Sequence, residues 1–100
     1  MSVAVAHVAT ATTRLPTEHA SRYLQQLCKH WSHKFPVEFT PTNGRIEMSA
    51  GVLILDADAE GLGLRLTAAP EDLERMEGVV AAHLQRFAFR EELAFDWAEA

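Results

Sequence analysis

The stretch VEFTPTNGRIEMSAGVLILDADAEGLGLRLTA, residues 37–68, decides the fold. It divides into four short runs. Val37 and Phe39 flank Glu38, Ile46 and Met48 flank Glu47, VLILDA is almost continuously apolar, and Leu62, Leu64 and Leu66 alternate with Gly63 and Arg65. A period of two predicts strands with one face on a core, and the unbroken run predicts a strand inside the sheet. Turn signals separate the runs. Asn43-Gly44 is the dipeptide that best tolerates the positive backbone angles of a tight hairpin. Ser49-Ala50-Gly51 allows another reversal, and DADAEG makes an acidic turn. Four consecutive strands with short connections form an antiparallel meander.

Upstream, SVAVAHVAT predicts a first strand over about Val3 to Ala9. In TRLPTEHASRYLQQLCKHWSH, Pro16 presets a turn and Thr17 is the candidate N-cap of a first helix. Ala20, Tyr23, Leu24, Leu27, Cys28 and Trp31 follow with the spacing of one buried helical face. Pro36 prevents continuation by disfavouring a helical Phe35. Downstream, Pro70 opens a second helix whose stripe is Leu73, Met76, Val80, Leu84 and Phe87, with Glu71, Asp72 and Glu74 at the positive end of its dipole. Leu93, Phe95 and Trp97 alternate in the tail and suggest a short closing strand. The β-α-β-β-β-β-α order forces both helices to bury their stripes on one sheet face. The expected architecture is an α+β two-layer sandwich, with a curved antiparallel sheet and residues 1–100 in a single domain.

Composition sets bounds on function. The 100 residues are 48% hydrophobic and 23% charged with a net charge of -5, the balance of a globular protein rather than a nucleic-acid binder. Charge is uneven. Arg14, Arg22, Lys29 and Lys34 stand against Glu18 alone up to Lys34, whereas five arginines face thirteen acids from Phe35 onward. Cys28 is the only cysteine, so no intrachain disulfide and no cysteine-cluster zinc site is possible. The N-terminus does not read as a signal peptide, and no apolar run approaches a membrane span. The expected setting is the cytoplasm, with no membrane and no nucleic acid as partner.

The segments ASRYLQQLCKHWSHKFPVEF, GVLILDADAEGLGLRL, LERMEGVVAAHLQRFAFREEL and FDW together resemble the bacterial family catalogued as domain of unknown function 2218. The resemblance runs from about Val8 to Trp97. It implies a fold similar to the TATA-binding-protein-like group, which includes the C-terminal domain of phosphohexomutases. The family has no established activity. Some members are attached to, or encoded beside, siderophore-interacting flavin reductases, so the resemblance implies an accessory role in iron or siderophore handling with such a reductase as partner. It carries no catalytic residues.

Candidate sites concentrate in QQLCKHWSHK, residues 25–34. Turning each residue by the helical angle of 100° gathers His19, Arg22, Gln26, Lys29, His30 and His33 into one sector beside the buried stripe. Such a strip is more often a solvated face than a site. Its functional reading is a contact surface of Arg22, Gln26, Lys29, His30 and His33 for an anionic ligand or an acidic partner. The alternative is a metal-binding protein or metal-dependent enzyme centred on His30 and His33, which are three residues apart and need a third ligand from elsewhere. No metal or other cofactor is otherwise expected. Cys28 and His30 project to opposite sides, so they form no nucleophilic pair. DADAEG lacks the glutamate of a calcium loop, since Thr67 occupies the twelfth position. His83 beside the second stripe reads as a partly buried, hydrogen-bonded histidine. No serine elbow, phosphate loop or zinc-protease helix is present. The expectation is a binding or accessory module rather than an enzyme, and the open sheet edge offers a route to a homodimer.

Overall fold

A computed structural model describes residues 7–100 of the chain. The elements are β1 (Ala9–Pro16), α1 (Ala20–Trp31), β2 (Val37–Phe39), β3 (Asn43–Met48), β4 (Gly51–Ala57), β5 (Gly61–Ala68), α2 (Pro70–Phe87) and β6 (Ala98–Glu99). All six strands form one antiparallel sheet in the order β2-β3-β4-β5-β1-β6. The meander of β2 to β5 is as expected, with the apolar β4 in its interior. The protein is an α+β two-layer sandwich.

Side-chain alternation explains the layers. Across the sheet, Ile46, Leu53, Leu66 and Ala11 stand in register on the inner face, as do Leu55 and Leu64 in the next row. Their outward neighbours, among them Glu38, Arg45, Arg65 and Arg14, stay exposed. α1 buries the predicted stripe of Ala20, Tyr23, Leu24, Leu27, Cys28 and Trp31. α2 buries Leu73, Met76, Val80 and Leu84, with Phe87 half-buried at the end of the row. Each fully buried leucine contributes roughly 1.5–3 kcal/mol, and this shared core holds the helices to the sheet.

The structure corrects four expectations, the last of them the closing strand. The first strand is Ala9–Pro16, not Val3 to Ala9. Of the expected segment, residues 3–6 lie outside the described residues, and His7 and Val8 precede the strand. Pairing with β5 selects the later segment, because it sets Ala11, Thr13 and Leu15 opposite Leu66, Leu64 and Leu62. Pro16 therefore ends a strand instead of opening a helix, a position where its missing amide hydrogen does no harm.

α1 accordingly begins at Ala20, with His19 at the N-cap position and no side-chain cap. Thr17 is not the cap. Its hydroxyl oxygen accepts the His19 amide at 3.1 Å, and its hydroxyl donates to Glu91 Oε2 at 2.9 Å.

Asn43-Gly44 is not the hairpin turn. The chain reverses at Pro41-Thr42, where the Thr40 amide donates to the Asn43 carbonyl at 2.7 Å. No described residue has a positive φ. Gly44 lies within β3 beneath α1, where an added Cβ would sit 2.9 Å from Cys28 Sγ. A glycine there permits close helix–sheet approach, a use of the residue unrelated to turning.

The other reversals follow the sequence. Ser49-Ala50 joins the paired Met48 and Gly51. In the acidic turn Asp58 Oδ1 accepts the amides of Glu60 and Gly61, and Arg14 grips both its carboxylate oxygens. The closing strand falls one step later than LAFDW, at Ala98–Glu99 against β1. Leu93 is buried, and Phe95 and Trp97 stack at 6.5 Å against the core edge. Among the described residues no helix is long and apolar enough to cross a membrane.

Candidate functional site

The exposed face of α1 carries Arg22, Gln26, Lys29 and His30, and His33 follows in the turn beyond Trp31. The strip is thus presented to solvent, but its members have different surroundings. The side chains of Gln26, Lys29 and His33 make no hydrogen bond or ion pair among the described residues. His30 leans on α2, its ring 5.7 Å from that of His83 and 5.9 Å from Phe87.

His83 is held from two sides, by the Trp31 ring at 4.9 Å and by a 2.8 Å contact between Nδ1 and the Val79 carbonyl oxygen. It is the half-buried, hydrogen-bonded histidine expected. Among the described residues no group of three or more His, Cys, Asp or Glu side chains is placed to hold a metal ion. His30 and His33 therefore find no third protein ligand there. Cys28 is fully buried, and burial pushes its thiol up to about 11, which keeps it protonated and unreactive at neutral pH.

Arg22 stands apart from the rest of the strip. It opens onto a cavity of about 480 Å³ between the start of α1, the end of α2 and the segment that follows. Glu18, His19, Tyr23, Phe87, Phe89, Arg90 and Glu91 complete the lining. The volume lies within the roughly 300–1,000 Å³ typical of small-molecule sites.

The segment after α2 owes its shape to one side chain. Gln85 Nε2 donates to the carbonyls of Ala88 and Glu91 at 3.0 and 2.8 Å, and Gln85 Oε1 accepts the Leu93 amide at 3.0 Å. With Ala88 and Leu93 buried in the core, the segment is folded back, and Phe89, Arg90 and Glu91 line the cavity opposite α1. Phe89 is left 78% exposed at the rim, with the Arg90 guanidinium 5.5 Å from its ring centre. A guanidinium over an aromatic face is attracted by the ring quadrupole.

At the base of the cavity, Tyr23 donates its hydroxyl to Glu91 Oε2, the atom that also accepts from Thr17. The Tyr23 bond, then that from Thr17, holds the Glu91 carboxyl below the ordinary glutamate range, although partial desolvation opposes them. Burial, and next the bond to Glu91, raises the Tyr23 phenol above its ordinary value. At neutral pH the pair is thus a phenol donating to a carboxylate. It ties α1, the loop before it and the segment after α2 to a single atom.

Neither Arg22 nor Arg90 is in an ion pair among the described residues. Two guanidinium groups from separate elements thus line one cavity with aromatic walls. Sequence reasoning identified Arg22 but missed Tyr23, Phe89, Arg90 and Glu91 as site residues. Only Phe89 left a local trace, as a large apolar residue off the buried stripe of α2.

By fold and site the protein is a small α+β sandwich with an open cavity where its two helices converge. The chain belongs to the family described as an uncharacterised protein conserved in bacteria, domain of unknown function 2218, whose model matches residues 12–98. It is similar to PA4090 from Pseudomonas aeruginosa, known from an NMR structure. The two are 40% identical, with a TM-score of 0.68 over 92% of this chain and 95% of that one. No curated protein matches the chain.

Proposed function

We propose that this protein is a binding or accessory module that takes a small anionic ligand at the cavity end of α1. One observation carries the reading: Arg22 and Arg90 line the same cavity, and neither is paired with an acid among the described residues. Arginine grips a carboxylate or phosphate through two parallel hydrogen bonds, which makes it the side chain suited to such a ligand. Gln26, Lys29, His30 and His33 continue from Arg22 as an exposed strip that attracts anions toward the cavity or meets an acidic patch on a partner. The family resemblance adds candidates to assay: ferric siderophores as ligand, a siderophore-interacting flavin reductase as partner, and the cytoplasm as setting.

The test is an amide NMR titration of the tag-free protein with inorganic phosphate and with an anionic ferric siderophore analogue carrying gallium. Saturable shifts at Arg22 and Arg90 are expected. The paired Arg22→Ala and Lys29→Ala variant should bind at least about tenfold more weakly, equivalent to about 1.4 kcal/mol, with an unchanged melting temperature. Equal affinity in that variant means that the strip is only a solvated face.

A further inference from the structure

Resting on that reading, we infer that the cavity selects a planar aromatic carboxylate carrying a single negative charge. The walls supply the aromatic part. Phe89 keeps 78% of its surface exposed at a position braced by the hydrogen bonds of Gln85, so its exposure is not that of a loose chain end. Phe87 is half-buried and continues the apolar wall from the end of α2. A ring laid against these two phenyl groups removes apolar surface from water and gains offset or edge-to-face contact.

The charge pattern supplies the rest. Arg22 and Arg90 offer fork-shaped donors, but Glu18 and Glu91 line the same cavity. Glu91 is fixed there as a carboxylate by Tyr23 and Thr17. Two cations balanced by two anions accommodate one added negative charge and repel several. A multiply charged phosphate ester or citrate is therefore disfavoured, whereas a monocarboxylate meets both guanidinium groups with little repulsion. Arg90 is already oriented over the Phe89 ring, at 5.5 Å, so ring and carboxylate contacts arise side by side.

The probe is 2-naphthoate, titrated into the full chain by amide NMR, with cyclohexanecarboxylate and inorganic phosphate in parallel. Naphthoate should bind at least tenfold more tightly than either control, with its largest shifts at Arg22, Phe89 and Arg90. Phe89→Ala and Arg90→Ala alter exposed side chains and leave the core intact, and each should weaken naphthoate at least fivefold. If the three anions bind equally at Arg22 and Arg90, the anion-binding function stands and the aromatic selectivity is overturned. If phosphate alone binds there, the same holds. If no anion binds, both readings fall. Naphthoate binding that ignores both variants locates the ring elsewhere and overturns the inference.

Discussion

Tyr23→Phe and Glu91→Gln, made singly and together, test the atom on which the cavity is built. Tyr23 is only 4% exposed, and its hydroxyl donates to Glu91 at the edge of the cavity. A hydrogen bond to a charged group contributes about 1.5–3 kcal/mol and a neutral one about 0.5–1.5 kcal/mol. Water in the open cavity replaces part of the loss, so Tyr23→Phe should cost about 1.5 kcal/mol. That corresponds to a fall in melting temperature of about 6–12 °C for a chain of this size.

In the Glu91→Gln background the amide oxygen still accepts the bond but carries no charge. The same substitution should then cost only about 0.7 kcal/mol, leaving a coupling energy of about 0.8 kcal/mol. The pH dependence has a definite sign. The folded pKa of Glu91 lies below its ordinary value of 4.5, so the stability from its ionised form is complete above 4.5 and is lost as pH falls through the lower folded value. The Tyr23 phenol, raised above 10.0, remains a donor throughout. Urea unfolding followed by Trp31 and Trp97 fluorescence, at neutral pH and in acid, measures the three variants and the parent protein. Equal costs of Tyr23→Phe in both backgrounds at neutral pH would falsify the charge-assisted bond.

Gly44→Ala should destabilise by about 1–3 kcal/mol through overpacking, because the new methyl meets Cys28 Sγ at 2.9 Å and Leu55 Cδ1 at 3.3 Å. Adding Cys28→Ala opens space for that methyl, so the double variant should be more stable than the sum of the singles by about 1 kcal/mol; strictly additive thermal melts would refute the contact. Cys28, with its thiol pushed up to about 11, should resist an aromatic disulfide reagent in the folded protein and react promptly in urea. Rapid labelling of the folded chain at neutral pH would contradict its burial.

The parts of the fold legible in sequence are those whose signal repeats. The α1 stripe recurs through six residues at helical spacing, and every one of them is buried. Leu62, Leu64 and Leu66 repeat at period two and face inward together. β1 is hard to locate from sequence because its inward row is Ala11, Thr13 and Leu15, a weak hydrophobic contrast beside the valines that precede it. Its position follows from pairing with β5, a strand distant in the chain. Gly44 was misread for another reason. A turn glycine and a close-approach glycine are the same residue locally, and only the helix packed above distinguishes them.

The candidate site was half legible for a related reason. The basic strip lies on one helix, so its angular grouping follows from spacing alone. The cavity draws Arg22 from α1 and Arg90 from a segment without periodicity, whose path depends on two hydrogen bonds donated by Gln85 and one that it accepts. No local pattern announces that convergence.

The same construction bears on function. The backbone of α1 is anchored because its opposite face is core, and the segment carrying Phe89 and Arg90 is held by Gln85, Leu93 and Glu91. A ligand that engages Arg22 and Arg90 together thus bridges two elements already held in position. Little ordering of the protein is then needed on binding, so more of the contact energy remains as affinity. On the proposed reading, selectivity comes from the distribution of charge and ring surface in the free protein, and the balance of Arg22 and Arg90 against Glu18 and Glu91 then counts for more than the net charge of the strip.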